Sequence, residues 1–241
     1  MLRAVIFDFD GVITDSEILH LRAFNQALTQ HNMEITKEDY YKDYLGLTDL
    51  DLFDLLVAKS LLKADAREIA NLAEQKKLAF EKLAKAESSI IKGVRDFLQM
   101  LKQNNIPMAI CSGALLTEIE LILEEGRLRS FFEVIVSAEQ VKKGKPNPEG
   151  LLLTLQKLNR IVSPAQPVLS KVEGAGIHNL ILPNQCIVIE DSHWGLEAAK
   201  AAGMHTVAIT NSYDANQLAM AEKVVTQLSE LSIGDLQQLC A

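Results

Sequence analysis

The sequence of 241 residues is long enough for one large domain, or for a core with a smaller module attached. Its 24 basic and 32 acidic residues leave a net charge of −8, which argues against general nucleic-acid binding because that activity needs a basic surface. The three cysteines form no zinc-binding pattern. No apolar run approaches the roughly 18 residues that span a membrane, and no signal peptide is recognisable. We therefore expect a cytoplasmic protein without nucleic-acid or membrane partners.

Short apolar runs recur along the chain, and helical patterns lie between them. The predicted strands are residues 4–9, 107–112, 134–137, 186–190 and 206–209, with 224–225 as a short edge strand. The predicted helices between them are about residues 94–103, 115–124, 148–158 and 194–202. Continuous apolar strands that alternate with helices predict an α/β fold with a doubly wound, mostly parallel, Rossmann-like sheet.

The segment from residue 16 to residue 88 interrupts this alternation, because it contains no convincing strand. Apolar residues recur at helical spacing around residues 18–28 and 52–61. The sequence therefore predicts an all-helical cap domain over 16–88, inserted into a core domain formed by 1–15 and 89–241. A module held by two linkers next to the first strand is well placed to act as a lid.

Residues 163–183 contain prolines and glycines and show no clear hydrophobic period. Long loops within a compact domain are commonly functional or mobile. We favour a surface insertion without a catalytic role.

Two carboxylates, Asp8 and Asp10, follow the first apolar run in the stretch DFDGVITDS. In an open α/β sheet, ligands bind at the edge formed by the carboxyl ends of the strands. Residues two apart on a strand point the same way, and two anions held so close repel each other unless a cation or a shared proton lies between them. The pattern favours a magnesium site in which one carboxylate is a nucleophile; an Asp-Gly turn after a strand is the alternative.

Polar side chains also follow three later strands. Ser112-Gly113 can hold a phosphate oxygen at a helix start, Lys145 lies in a turn constrained by prolines, and Glu190-Asp191 can bind a hard cation such as magnesium. Taken alone, Ser112 and Asp191 are also consistent with helix caps, and Lys145 with a solvated basic loop. Their joint occurrence at strand ends favours one site for phosphate and metal.

The elements DxDGVxxDS, the strand-end serine, GKPxP and xEDSxxG occur in the order found in the haloacid dehalogenase superfamily, and jointly they are highly specific. The chain most resembles the group with a helical cap inserted after the first strand, which includes β-phosphoglucomutases and sugar-phosphate or phosphoglycolate phosphatases. The resemblance covers nearly the whole chain apart from about residues 163–183. It implies a phosphoric monoester hydrolase of this superfamily, with phosphomutase activity as an open alternative.

The resemblance implies a role for each matching residue. Asp8 matches the nucleophile that becomes an aspartyl phosphate, and Asp10 the general acid and base that serves the leaving oxygen and the attacking water. Ser112, with Gly113 beside it, matches the phosphate-binding position, and Lys145 the lysine that offsets charge on nucleophile and phosphate. Phosphoryl transfer needs an in-line nucleophile and dense positive charge around the phosphate oxygens, and the implied roles agree with that requirement.

The same resemblance implies magnesium as the cofactor. Asp191 matches a residue that binds the metal, and Glu190 matches either a second ligand or a residue that supports the ligands. Asp8 also lies at the metal. Asp10 matches the position whose backbone carbonyl binds the metal. Dehalogenases of the superfamily need no magnesium and lack an acid/base aspartate two residues after the nucleophile. The presence of Asp10 therefore favours phosphoryl transfer.

The cap positions that match substrate contacts give a weaker signal. His20, Thr48 and Lys76 are the predicted substrate-binding residues, although His20 and Lys76 are also consistent with ordinary helix positions. The mutase pattern has a basic residue where this chain has Asp49, and an arginine there grips the second phosphate of a bisphosphate. Because an acid should repel that phosphate, we expect hydrolysis of a small phosphorylated metabolite rather than mutase action. A non-catalytic binding protein on the same scaffold is the second alternative.

Overall fold

The computed structural model describes residues 1–44, 47–87, 90–162 and 180–241, so most of the predicted insertion at 163–183 lies outside the described residues. The chain divides into two compact units. We call Met1–Thr14 with Ile90–Ala241 the core unit, and Asp15–Ser89 the helical unit. Within the described ranges, no helix combines the length and the hydrophobicity that a bilayer span requires.

The described part of the core unit contains a six-stranded sheet in which all neighbouring strands are parallel. The strands are β1 (Ala4–Phe7), β2 (Met108–Cys111), β3 (Val134–Val136), β4 (Cys186–Glu190), β5 (His205–Ile209) and β6 (Lys223–Val225). Their order is β3-β2-β1-β4-β5-β6, and Val5 of β1 pairs with Met108 on one side and Ile187 on the other. The predicted α/β, Rossmann-like fold is confirmed, and the carboxyl ends of β1, β2 and β4 meet at one edge.

The helices were predicted from apolar spacing, and the structure gives their bounds. The α-helices among the described residues are α1 (Glu17–Leu28), α2 (Lys37–Asp39), α3 (Asp49–Ala58), α4 (Ala66–Ala86), α5 (Val94–Gln103), α6 (Leu116–Glu125), α7 (Glu149–Val162), α8 (His193–Ala201) and α9 (Ile233–Leu239). In the core unit, Leu151 and Leu155 of α7 pack in one apolar cluster with Ile6 and Val188 of the central strands. Helix α7 runs four residues past its predicted end because Val162 packs against the same cluster.

The described residues of the helical unit form helices and turns, and no strand. Helices α1, α3 and α4 surround an apolar cluster in which Phe24, Phe53 and Leu72 are almost completely buried. Each such side chain contributes about 1.5–3 kcal/mol to the free energy of unfolding, because it is removed from water. Helix α3 begins at an N-cap, Thr48, whose hydroxyl accepts from the N–H of Asp51. This packing holds the polar side chains of the unit in fixed positions.

Candidate active site

Asp8 lies directly after β1, at the carboxyl edge of the sheet. Its N–H donates to the carbonyl of Ile189 in β4 at 2.9 Å, so the sheet still holds the backbone of this residue. The buried ring of Phe9 anchors the turn that follows, and Asp10 comes next. The turn requires a glycine at position 11, because Gly11 adopts a φ of +76°. The two acids are therefore fixed on either side of a buried aromatic residue.

Lys145 joins the ends of β1 and β4 through two hydrogen bonds. Its Nζ donates to Oδ1 of Asp8 at 2.5 Å and also to Oε1 of Glu190. The side chain of Lys145 is 19% exposed, and that of Glu190 is completely buried. The alternative interpretation of Lys145 as part of a solvated basic loop is therefore wrong. The structure places one ammonium group between two carboxylates that come from different strands.

Glu190 and Asp191 bring two more carboxylates to this edge, and both are buried. Oxygens of Asp8, Glu190 and Asp191 all lie within 4.8 Å of one another. Asp191 is not the cap of α8, because the hydroxyl of Ser192 accepts from the N–H of Gly195 at 3.1 Å and fills that role. The three acids thus form one compact cluster.

The acidic cluster carries more negative charge than Lys145 can neutralise. Burial raises the pKa of Asp8 to about 7, and the neighbouring Glu190 adds to that rise against the opposing effect of Lys145. Burial also raises the pKa of Asp191 well above its usual range, helped by the charges of Asp8 and Glu190. Burial alone would lower the pKa of Lys145, but the two carboxylates that it contacts outweigh this effect and raise it well above normal. The single ammonium group therefore offsets only part of the negative charge.

This donor set fits a divalent cation of the magnesium type. Hard cations bind carboxylate oxygens, and three such oxygens converge here in a buried place. One ammonium group, that of Lys145, lies among these three acids, so a further cation would complete the balance of charge. Asp8, Glu190 and Asp191 are the side chains that would hold the ion. The side chain of Asp10 is not part of this group.

Ser112 and Gly113 follow β2, next to β1 in the sheet. The hydroxyl of Ser112 is buried and accepts from the N–H of Ala114 at 2.9 Å. It does not cap α6, since that helix begins at Leu116 with Leu115 as its N-cap, so the alternative of a simple helix cap is wrong. A β-carbon on Gly113 would meet nothing within 4 Å. A polar hydroxyl beside open space is an arrangement that can accept a phosphate oxygen.

Comparison with known proteins decides the family. A family described as haloacid dehalogenase-like hydrolase matches residues 5–209. The chain belongs to this family. It is 30% identical over 207 residues to the phosphorylated carbohydrates phosphatase of Thermotoga maritima, covering 86% of this chain and 84% of that protein. It is 26% identical to hexitol phosphatase B of Escherichia coli, covering 98% of this chain and 96% of that protein.

A solved structure agrees with these relatives. The crystal structure of a putative β-phosphoglucomutase from Thermotoga maritima is 28% identical and superposes with a TM-score of 0.72, over 99% of this chain and 98% of that one. The predicted superfamily, its β-phosphoglucomutase-like subgroup, the fold and the hydrolase class are therefore confirmed.

The helical unit of this haloacid dehalogenase-like hydrolase contains a polar cluster of its own. Lys76 is 1% exposed, and its Nζ donates to Oδ1 of Asp49 at 2.6 Å and to Nδ1 of His20 at 2.8 Å. The same ammonium lies 4.9 Å from the ring centre of Phe24 and 5.3 Å from that of Phe80. The alternative of an exposed helical lysine is wrong, because Lys76 is among the largest fully buried side chains.

The contact with Lys76 also defines the state of His20. A lysine ammonium only donates, so Nδ1 of His20 must be the unprotonated acceptor and the remaining proton lies on Nε2. Burial lowers the pKa of His20 well below its usual value, and the charge of Lys76 lowers it further. The ring stacks on Phe80 with 4.1 Å between centroids. His20 is therefore a neutral side chain with a single N–H to donate.

Thr48, the third predicted substrate contact, has a structural use. Its Oγ1 donates to Oδ2 of Asp51 at 2.6 Å and accepts from the N–H of the same residue. A contact between Thr48 and substrate stays a prediction.

Sequence reasoning missed two residues in the turn after β5. The hydroxyl of Ser212 donates to Oδ2 of Asp191, and Nδ2 of Asn211 donates to the carbonyl of Gly11 at 2.6 Å. The rule applied to the other strands could have found them, since polar residues directly after a parallel strand lie at the ligand-binding edge of the sheet. Asn211 and Ser212 follow β5, which is next to β4.

Proposed function

We propose that the protein is a magnesium-dependent phosphatase that hydrolyses a small phosphorylated carbohydrate through an aspartyl phosphate on Asp8. The observation that carries the proposal is the contact of Asp8 with Lys145 inside the cluster with Glu190 and Asp191. The names of two relatives support the substrate class, since one is a phosphatase of phosphorylated carbohydrates and the other a hexitol phosphatase.

In the first step, a carboxylate oxygen of Asp8 forms a bond to phosphorus while the bond from phosphorus to the ester oxygen breaks. Asp10 donates its proton to the leaving alkoxide, so the alcohol departs neutral. Lys145, already at Asp8, offsets the charge on the phosphoryl oxygens, and the Ser112 hydroxyl with the Gly113 backbone orients one of them. The product is the alcohol and an aspartyl phosphate.

In the second step, water attacks the phosphorus and gives its proton to Asp10, while the bond between phosphorus and Asp8 breaks. The Asp8 carboxylate is restored and inorganic phosphate is released, so the cycle closes with water as the only co-reactant. A magnesium ion held by Asp8, Glu190 and Asp191 would supply further positive charge to the transferring group.

Hydrolysis is favoured over mutase action by the polar cluster of the helical unit. A mutase must retain a sugar bisphosphate, whose second phosphate needs a positive partner. In this chain Asp49 neutralises Lys76 through a contact of 2.6 Å. The pair therefore offers a second phosphate no net positive charge. The mutase remains the second candidate, since a putative β-phosphoglucomutase is among the solved structures that resemble the chain.

The test is release of inorganic phosphate from hexitol phosphates, hexose phosphates and β-glucose 1-phosphate, with and without magnesium. We expect magnesium-dependent release from at least one carbohydrate phosphate and no release by Asp8→Asn. Conversion of β-glucose 1-phosphate to glucose 6-phosphate faster than phosphate release would establish the mutase instead. Absence of turnover on the whole panel would favour the non-catalytic binding protein.

A further inference from the structure

We propose that Ser212 is a positioning residue for the cation site, which it serves by holding the carboxylate of Asp191. The inference rests on the proposed function, because the cation is the magnesium of the proposed phosphatase. Ser212 is remote in sequence from the acids, yet its hydroxyl donates directly to Oδ2 of Asp191. This contact defines how the carboxylate is turned.

Asp191 is also confined from the opposite side. A β-carbon at position 11 would lie 1.7 Å from Oδ2 of Asp191, so this oxygen packs directly against the backbone of Gly11. The oxygen that accepts from Ser212 is thus the one that the turn after β1 also encloses. The carboxylate has little freedom to rotate, because a rotation would break the hydrogen bond and press an oxygen against the turn.

The segment that carries Ser212 is itself held on both sides. Asn211 donates to the carbonyl of Gly11 at 2.6 Å, which ties the segment to the turn that carries Asp8 and Asp10. The ring of Tyr213 packs edge-on against His193, with 5.4 Å between centroids, at the start of α8. Because its neighbours Asn211 and Tyr213 are both held, Ser212 can fix the orientation of the Asp191 carboxylate.

Asp191 is one of the three acids that would hold the cation, and Ser212 contacts its carboxylate directly. Hydrogen bonds to metal ligands from outer residues typically change metal affinity about 10- to 100-fold when they are removed. We therefore assign to Ser212 an effect on magnesium affinity that is larger than its effect on folding.

The experiment is calorimetric titration of the intact protein with magnesium chloride. We expect Ser212→Ala to raise the Kd for Mg²⁺ about tenfold or more, and Ser212→Thr, which keeps the hydroxyl, to stay within about threefold of the wild type. Ser130→Ala, at an exposed serine in the turn before β3, serves as the matched control and should leave the Kd unchanged. The Tm without magnesium should vary by no more than about 4 °C among the four proteins.

The titration distinguishes failure of the role of Ser212 from failure of the proposed cation site. If the wild type binds Mg²⁺ and Ser212→Ala binds it equally well, the role of Ser212 is refuted while the proposed phosphatase stands. If the wild type binds no Mg²⁺, the cation site and the role of Ser212 fail together. Should Ser212→Ala not fold, Ser212→Cys repeats the comparison, because a thiol is similar in size but a weak donor. An unchanged Kd in Ser212→Cys would likewise refute the role.

Discussion

A β-carbon at position 195 would lie 1.9 Å from Oε1 of Glu190, in space that the carboxylate itself occupies. Glu190 is completely buried, and the same oxygen accepts a hydrogen bond from Lys145. The first turn of α8 can therefore approach the acidic cluster only because Gly195 has no side chain. This close approach links a helix position to the geometry of the site.

Gly195→Ala should displace Glu190 and with it Lys145. We expect the catalytic efficiency of phosphate release to fall about tenfold or more, with a loss of about 1–3 kcal/mol in the free energy of unfolding from the steric overlap. Gly234→Ala is the matched control, because its β-carbon would come no closer than 3.6 Å to Ser232 Oγ. Full activity in Gly195→Ala would contradict the placement of Glu190.

Lys145→Ala should slow phosphoryl transfer at saturating magnesium. Removal of the ammonium leaves Asp8 and Glu190 without their shared counter-charge, so we expect kcat to fall about 100-fold or more. The exposed neighbour Lys143 supplies the control, and Lys143→Ala should leave kcat unchanged. Equal rates in the two variants would show that a general basic loop, rather than one positioned lysine, supports the reaction.

Asp49→Asn should change the preference between monophosphates and bisphosphates. The substitution removes the carboxylate that neutralises Lys76, and we expect the ratio of kcat/KM for a sugar bisphosphate over the monophosphate to rise about tenfold, or about 1.4 kcal/mol. Asp54→Asn, at an exposed position on the same helix, is the comparison variant and should leave the ratio unchanged. An unchanged ratio would mean that Asp49 does not determine this preference.

We expect the free energy of unfolding to decrease below about pH 6.5 because His20 is held neutral in the folded protein. Its pKa is lowered in the folded state by burial and by Lys76, so below the usual value of 6.5 the unfolded chain binds a proton that the folded chain does not. Stability is then lost as pH falls through 6.5, by about 1.4 kcal/mol at about pH 5.5. His20→Gln lacks this term, so denaturant unfolding at about pH 7.5 and 5.5 should show a smaller loss in the variant. Equal losses would contradict a neutral His20.

The sequence predicted most of the site residues that lie near the carboxyl ends of strands. Asp8, Lys145 and Glu190 were expected together because the carboxyl ends of parallel strands meet at one edge, and their contacts agree with that expectation. Ser212 was missed, since a serine after a strand is common and only the neighbouring position of β5 beside β4 brings it to Asp191.

The burial of Lys76 was equally beyond sequence reasoning. Lysine is rarely buried unless it is paired, and the adjacent Lys77, which is exposed, has the same residue type in the same helix. The partner Asp49 lies in a different helix, so the pair depends on how α3 and α4 pack. Tertiary contacts, rather than local pattern, decide such positions.

We propose that Asp8 carries the phosphoryl group during turnover, and Asp10→Asn with p-nitrophenyl phosphate and magnesium tests this step. This ester needs no acid to expel its leaving group, whereas release of phosphate from Asp8 still needs the base. We predict a rapid burst of p-nitrophenolate equal to the enzyme concentration, slow turnover afterwards, and phosphate recovered on the peptide that contains Asp8. A linear release without a burst, or a burst that persists in the double variant with Asp8→Asn, would contradict an aspartyl phosphate on Asp8.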